Sequence, residues 1–160
     1  MNTTRLRFIL LLPILAVAAA AQPVVTWTGE TMRLQSASVA PLGLGWRLTL
    51  AMSDDNGNAS LPSSYRRWWH CQVSNLNPFS TYTIQVQVTN AGYSDVILPV
   101  AASSSDLGST FGPYARLPVT SVPSFSGGTH TFSFVKPLGV SDVRLAKYFP
   151  YPVSAKNSWI

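Results

Sequence analysis

The sequence has 160 residues, of which 46% are hydrophobic, and 11 Lys and Arg against six Asp and Glu give a formal net charge of +5 at pH 7. Removal of a signal peptide that contains Arg5 and Arg7 would leave nine basic residues against six acids, and this excess of +3 is too small to predict a nucleic-acid-binding protein, so we expect no nucleic-acid partner. No run of like charges occurs in the sequence, which also argues against a polybasic membrane-binding tail.

The N-terminus has the pattern of a secretory signal peptide. Arg5 and Arg7 precede an uncharged apolar run, residues 8–21, which ends in small residues suited to cleavage. The run is shorter than the roughly 20 residues that a membrane-spanning helix needs, so we expect cleavage and no stable membrane anchor. Residues 1–21 are therefore predicted to be the signal, and residues 22–160 a single domain of a secreted or extracytoplasmic protein.

The period-two alternation of apolar and polar residues recurs along the chain and predicts strands with one buried face. It is strongest over residues 82–89 and recurs over 46–52 and 130–134, which we expect to be antiparallel strands with one solvent-exposed side. Shorter candidate strands, bounded by turn-forming residues, cover residues 32–39, 68–73, 95–101 and 143–148. No convincing amphipathic helix separates them. The sequence therefore predicts an all-β fold, an antiparallel β-sandwich or a closely related barrel.

Two glycine motifs and one long segment predict turns and loops. Gly43-x-Gly45 lacks the third glycine and the following helix of a phosphate-binding loop, so we interpret it as a hairpin or strand-entry turn, and Gly127-Gly128 in the same way. Residues 102–112 and the Pro-rich sequence up to residue 128 show no periodicity. They are predicted to be loops over the sandwich surface.

Two single residues restrict the chemistry further. Cys71 is the only cysteine, so an internal disulfide is excluded and Cys71 is interpreted as a small buried hydrophobic residue. Asn58 begins an Asn-Ala-Ser sequon in the polar stretch 53–64, where a surface loop is expected. We therefore predict glycosylation at Asn58.

Residues that could support a reaction are scarce. His70 and His130 are the only histidines, and neither has an acid or a cysteine at ligand spacing, so we interpret both as surface or edge residues and not as metal ligands. No Gly-x-Ser-x-Gly motif is present, and the acids occur mostly in turn-like contexts. We predict that the chain has no catalytic or metal site, no cofactor and no enzymatic activity of its own.

One basic and aromatic cluster, residues 66–70, could bind a ligand. In an extended strand Trp69 faces the core, while Trp68 and His70 point to the other side. Trp68 is therefore the candidate platform on which a flat ligand could stack, unless a second sheet or a partner domain covers it.

Three short motifs occur in a fixed order along the chain: the pair Trp68-Trp69 opening a strand, Tyr114-Ala-Arg116 after a Ser/Asp/Gly loop, and Phe149-Pro150-Tyr151 near the end. With this order and spacing, the chain from about residue 65 to residue 159 resembles the N-terminal domain of cytosolic-type zinc carboxypeptidases. In that family a β-sandwich precedes the catalytic domain. The resemblance implies an accessory domain whose partner is a zinc carboxypeptidase catalytic domain, in cis or in trans.

The sequence departs from that family in two ways. The peptidase zinc site would need a His-x-x-Glu pair, a later His and a catalytic Glu, and none of these is present, so the resemblance does not extend to activity. The predicted signal peptide also separates this chain from the best-known relatives, which act inside cells on acidic tails such as those of tubulin. That substrate is therefore not assumed.

The aromatic stretch 147–160 resembles a junction that leads into another domain. We expect the chain to be either a fragment of a longer peptidase or a stand-alone remnant, and we predict Tyr148, Phe149 and Tyr151 as the domain interface. The alternative hypothesis is a stand-alone secreted module that binds a glycan or a protein through Trp68.

Overall fold

The computed structural model describes residues 21–54, 58 and 60–150. Within these residues no helix has the length and hydrophobicity required to cross a membrane. The predicted signal peptide lies outside them except for Ala21, and so does the end of the predicted junction, residues 151–160.

Ten strands and one short 3-10 turn, Ser63–Tyr65, make up the regular structure of the described residues. In chain order the strands are β1 (Val24–Thr26), β2 (Ser36–Leu42), β3 (Gly45–Ala51), β4 (His70–Ser74), β5 (Tyr82–Thr89), β6 (Val100–Ser104), β7 (Ala115–Arg116), β8 (Ser124–Ser126), β9 (Thr129–Lys136) and β10 (Asp142–Ala146). The first sheet has the order β1-β4-β10-β6-β7, and the second has the order β2-β3-β5-β9-β8. The two sheets pack together, which confirms the predicted β-sandwich.

The core lies between the sheets and is built by alternation along each strand. In the second sheet Leu48, Val86 and Phe132 are buried, while the residues between the apolar ones are half-exposed. Trp69 and Cys71 enter the core from the first sheet. Burial raises the pKa of the Cys71 thiol to about 12, and the interpretation of Cys71 as a small buried hydrophobic residue is confirmed.

One strand pair corrects the expected antiparallel pattern. β3 pairs with β2 in the antiparallel direction but with β5 in the parallel direction. The reason is the connection between them: the chain leaves β3, crosses to the first sheet as β4, and returns as β5. A parallel neighbour needs such a crossover, because a short hairpin reverses the chain direction.

The glycine turns form hairpins as predicted. Gly43 has a φ of 58° in the β2–β3 turn, and a Cβ at Gly45 would lie 1.9 Å from the carbonyl oxygen of Thr83, so that site accepts only glycine. Gly127 and Gly128 have φ values of 55° and 75° between β8 and β9. Two successive residues in this left-handed region are typical of a tight turn whose twist matches the strands.

The prediction of a strand over residues 95–101 is wrong for most of that range. Pairing begins only at Val100 and continues to Ser104, into the segment predicted to be a loop. Val96 and Leu98 are exposed, and Pro99, which cannot donate a ladder hydrogen bond, directly precedes the strand. An apolar run of this kind forms a strand only where the sheet pairs and covers it.

Candidate functional site

The chain leaves β10 through three residues with different surroundings. Lys147 is buried, and its ammonium nitrogen lies 3.1 Å from the ring centroid of Tyr93 and 4.9 Å from that of Tyr148. Burial lowers the pKa of Lys147 to about 8. Tyr148 and Phe149 are 40% and 52% exposed. Their role as an interface stays a prediction, and Tyr151 lies outside the described residues.

Phe149 has an arginine as a neighbour. The guanidinium carbon of Arg116 lies 5.3 Å from the ring centroid of Phe149, within the range of a cation–π contact. A terminal nitrogen of Arg116 donates a 2.5 Å hydrogen bond to the carbonyl oxygen of Leu98, which is 43% exposed. This bond to the backbone fixes the arginine beside the Phe149 ring.

Trp68 is half-buried and lies beside Phe149. Its indole nitrogen donates a 2.8 Å hydrogen bond to the carbonyl oxygen of Thr31, and its ring meets the His70 ring edge to face at 6.2 Å between centroids. Trp68 and Phe149 line one groove of about 400 Å³ together with residues 30–33. The predicted ligand platform and part of the predicted interface thus form one surface. We call it the Phe149 surface and define it as Trp68, Leu98, Arg116 and Phe149.

The interpretation of His70 as a surface or edge residue is wrong, because only 3% of it is exposed. Its two ring nitrogens each lie 2.8 Å from a hydroxyl oxygen, Nδ1 from that of Thr31 and Nε2 from that of Tyr114. Burial lowers the pKa of His70 to about 4. The imidazole is therefore neutral at physiological pH, and its polar atoms are satisfied within the protein.

The cover over His70 comes from residues 105–114, which cross the outer face of the first sheet. Asp106 holds the start of this segment: its carboxylate accepts hydrogen bonds from the hydroxyls of Ser104, at 2.6 Å, and Thr110, at 2.5 Å. These bonds keep the pKa of Asp106 low, at about 2. Further along, the Phe111 ring centroid lies 3.9 Å from the guanidinium carbon of Arg144 on β10. The segment is thus a loop, as predicted, but one that buries polar groups.

His130 is also buried, in contrast to its interpretation as a surface or edge residue. Its ring stacks on Tyr93 at 4.3 Å between centroids and meets Phe125 at 4.6 Å, while Nε2 lies 2.9 Å from the carbonyl oxygen of Tyr93. Burial lowers its pKa. His130 occupies the core-facing register of β9, shared with Phe132, which explains its position.

Potential metal ligands are dispersed over the part of the chain that the structure describes. No three His, Cys, Asp or Glu side chains there come together as a metal-binding group. Asn58 is exposed, and its side-chain oxygen accepts hydrogen bonds from the backbone nitrogen and the hydroxyl of Ser60. Glycosylation at Asn58 stays a prediction.

Sequence reasoning does not identify Leu98, Arg116 or Arg144 as site residues. Arg116 belongs to the Tyr114-Ala-Arg116 motif, which carries the family resemblance but gives the arginine no role. Arg144 alternates with buried Val143 and Leu145, so its outward direction is readable. Its aromatic neighbour comes from a distant loop and leaves no local signal.

Comparisons with known proteins show similarity of fold to carboxypeptidases. No family model matches the sequence, and no curated protein matches it significantly. A carboxypeptidase-like protein from Burkholderia mallei superposes with a TM-score of 0.57 at 12% identity, covering 86% of this chain and 31% of that one. A metallo-carboxypeptidase from Pseudomonas aeruginosa superposes with a TM-score of 0.56 at 16% identity, covering 84% of this chain and 32% of that one. A metallo-carboxypeptidase from Burkholderia cenocepacia superposes with a TM-score of 0.53 at 14% identity, covering 86% of this chain and 31% of that one.

The extent of these matches is uneven. Most of this chain is covered, but it spans only about a third of each carboxypeptidase structure. At these identities the similarity is one of fold. The chain therefore shares the fold of about a third of each of these carboxypeptidase structures.

Proposed function

We propose that this chain is a non-catalytic accessory domain that packs against the catalytic domain of a zinc carboxypeptidase, on the same polypeptide or on a separate one. The observation that carries the proposal is the uneven match: the fold covers 84% to 86% of this chain and about 31% of the metallo-carboxypeptidase structures. Roughly two thirds of each of those structures has no counterpart here. The sequence also has no His-x-x-Glu pair of its own, in keeping with a non-catalytic role.

The Phe149 surface has the composition of a docking site. Protein interfaces are enriched in aromatic residues and arginine, and a few such residues supply most of the binding energy. Phe149 leaves half of its surface to bury, and Arg116 is already held against it by the bond to Leu98. An arginine that is fixed before binding loses less conformational entropy when a partner covers it.

Tyr148 adds a second exposed aromatic ring next to the same strand end. Because Lys147 is buried between Tyr93 and Tyr148, the backbone that carries Tyr148 and Phe149 is anchored in the core. Full burial of an aromatic side chain is worth about 2 kcal/mol. Covering the exposed halves of both rings would therefore contribute about 2 kcal/mol to docking.

The test is a binding measurement between the purified protein and a separately expressed zinc carboxypeptidase catalytic domain from the same organism. We expect the double variant Tyr148→Ser, Phe149→Ser to weaken binding by about tenfold or more. Phe79→Ser is the matched control, because Phe79 is 89% exposed and follows β4 at the end of the strand away from Phe149. It should leave binding unchanged.

Two results would overturn the proposal. One is the failure of the wild-type protein to bind the catalytic domain at all. The other is equal binding by the wild type and by the double variant, with both variants shown to be folded by their thermal unfolding. Whether the partner is on the same polypeptide is decided by the mass of the native protein on an immunoblot raised against residues 22–160.

The groove between Trp68 and Phe149 favours a second candidate function, a stand-alone module that binds a glycan. Two aromatic rings beside a polar segment are a suitable platform for a sugar ring. Titration with a glycan panel should then change the tryptophan fluorescence of the wild type but not that of Trp68→Ala. The absence of any response across the panel would remove this candidate and leave the accessory-domain proposal standing.

A further inference from the structure

Arg144 is held rigidly on the outer face of the first sheet. One face of its guanidinium rests on the Phe111 ring at 3.9 Å, and its Nε donates to the Oε1 of Gln72 at 3.3 Å. Tyr114 is a further neighbour: burial raises the pKa of its hydroxyl, and the Arg144 charge opposes that rise. A guanidinium fixed by stacking and by its Nε still presents terminal N–H groups in one plane.

No acid neutralises this guanidinium. Within the residues that the structure describes, Arg144 makes no ion pair, since the one described pair there joins Arg66 and Asp54. The nearest acid on its own strand is Asp142, which is buried and lies next to Gly108. The Arg144 charge is therefore only partly buried and lacks a carboxylate partner.

His70 and its two hydroxyl neighbours add a second donor. A neutral imidazole has one N–H and one bare nitrogen, so it donates to one of the hydroxyls of Thr31 and Tyr114 and accepts from the other. The hydroxyl that accepts from His70 keeps its own hydrogen for another acceptor. Together with Arg144, the group has more hydrogen-bond donors than acceptors.

These donors border a common open pocket of about 290 Å³, which residues 29–32 and Pro150 also line. The pocket contains one fixed positive charge, Arg144, and one exposed acid at its rim, Glu30. This charge arrangement suits an anion with a single negative charge and disfavours a phosphate dianion. A planar guanidinium also matches the two oxygens of a carboxylate.

We propose that the pocket bordered by Arg144, Tyr114 and His70 binds the carboxylate group of a small acid, of a peptide C-terminus or of an acidic side chain. Arg144 holds the two oxygens through its terminal N–H groups, and a hydroxyl of the His70 group donates to one of them. The site uses none of Leu98, Arg116 and Phe149, although it shares residues 30–32 with the neighbouring groove between Trp68 and Phe149.

The experiment follows the side-chain Nε–H resonance of Arg144 by NMR while N-acetylglycine is added to the purified protein. We expect saturable binding with a dissociation constant on the order of millimolar, typical of a single charge-assisted contact. N-acetylglycinamide, which lacks the charge, should produce no saturable shift. Phosphate should bind about tenfold more weakly than N-acetylglycine.

Variants test the roles of the named residues. Arg144→Lys should weaken binding about tenfold, because lysine keeps the charge but loses the planar pair of donors. Its binding is followed through backbone amides of residues 29–32. Tyr114→Phe, which removes one hydroxyl and leaves the Arg144 guanidinium in place, should weaken binding about threefold. Arg47→Lys is the matched control, since Arg47 also donates through Nε to a glutamine, Gln85, but on the second sheet.

The outcomes separate cleanly. Equal shifts with N-acetylglycine and N-acetylglycinamide, tighter binding of phosphate, or an equal loss in Arg47→Lys and Arg144→Lys would each overturn the proposal. If Arg144→Lys does not fold, the proposal is still tested by the affinity of Tyr114→Phe and by the affinities of the wild type for N-acetylglycine, N-acetylglycinamide and phosphate. The affinity for N-acetylglutamate α-amide shows which kind of carboxylate the pocket prefers. Tighter binding of N-acetylglycine indicates a peptide C-terminus, and tighter binding of N-acetylglutamate α-amide indicates an acidic side chain. Because the catalytic domain is absent from this assay, failure here leaves the docking proposal intact.

Discussion

The outer faces of the two sheets carry similar polar residues but meet different amounts of water. On the second sheet the outward residues of the three central strands are half-exposed: Arg47, Thr49, Gln85, Gln87, Thr131 and Ser133. On the first sheet the outward residues His70, Ala102, Ser104 and Asp142 are buried, while Gln72 and Arg144 are half-exposed, because residues 105–114 cross part of this face. Polar alternation therefore shows which face of a strand is not core, but it does not show whether that face is wet.

A covered polar face is stable only when its polar groups are paired. His70 uses both ring nitrogens, and the hydroxyl of Ser104 donates to Asp106 while it accepts from the backbone nitrogen of Gly108. The hydroxyl of Ser141 donates to the carbonyl oxygen of Ser104. The covered face is thus a set of specific contacts, and changes there should cost more than equivalent changes on the open face.

The largest expected difference comes from placing a charge on each face. Ala102→Lys would bury an ammonium group without a partner, and we expect it to lower the free energy of unfolding by about 3–5 kcal/mol. Gln87→Lys places the same side chain on the open face and should change it by about 0.5 kcal/mol or less. Urea unfolding monitored by tryptophan fluorescence measures both. Equal losses would show that the first sheet is not covered in solution.

The second difference concerns pH and the histidine of the covered face. The folded pKa of His70 is about 4 and its ordinary value is 6.5, so between these values the unfolded chain binds a proton that the folded protein does not. Stability should therefore fall as the pH drops from 6.5 to 4, by about 3 kcal/mol at most. His70→Gln should remove this part of the pH dependence. The pKa of His130 is also lowered, so His130 contributes its own pH dependence to both proteins. The quantity to compare is therefore the difference in free energy of unfolding between the wild type and His70→Gln at each pH.

The smallest difference compares two arginine–glutamine pairs. Gln72→Ala removes the acceptor of Arg144 under the covering loop, and we expect a loss of about 1 kcal/mol in the free energy of unfolding. Gln85→Ala removes the acceptor of Arg47 on the open face, where water replaces it, and should cost less than about 0.5 kcal/mol. Chemical denaturation of the two variants shows which of them loses more free energy of unfolding. A larger loss for Gln85→Ala would contradict the assignment of open and covered faces.

Most of the sandwich could be predicted from local patterns. The strands at 46–52, 82–89 and 130–134 are present within a few residues, because each has one face in the core and strict alternation. The hairpins at Gly43 and Gly127 followed from turn chemistry. The prediction of a strand over 95–101 was wrong for most of that range, because the apolar run there is exposed at Val96 and Leu98 and pairs only from Val100.

The candidate site was predictable only in part. Trp68 and Phe149 stand out as aromatic residues in their local sequence, and the structure adds that they line one groove. Their neighbours Arg116 and Leu98 come from other strands and loops, so no spacing rule brings them together. The burial of His70 and His130 likewise depends on segments distant in the chain.

The sequence by itself determined the all-β class, the buried Cys71 and the position of the main strands, because these depend on residues that are close together in the chain. Only the tertiary structure decided the parallel pairing of β3 and β5, the burial of His70 under residues 105–114, and the contact of Arg144 with Phe111. The physical reason is that the direction of a strand pair, the burial of a sheet face and the contact of an arginine with an aromatic ring depend here on crossovers and long loops. Their contacts join residues far apart in sequence, and such contacts leave no periodic trace in either partner.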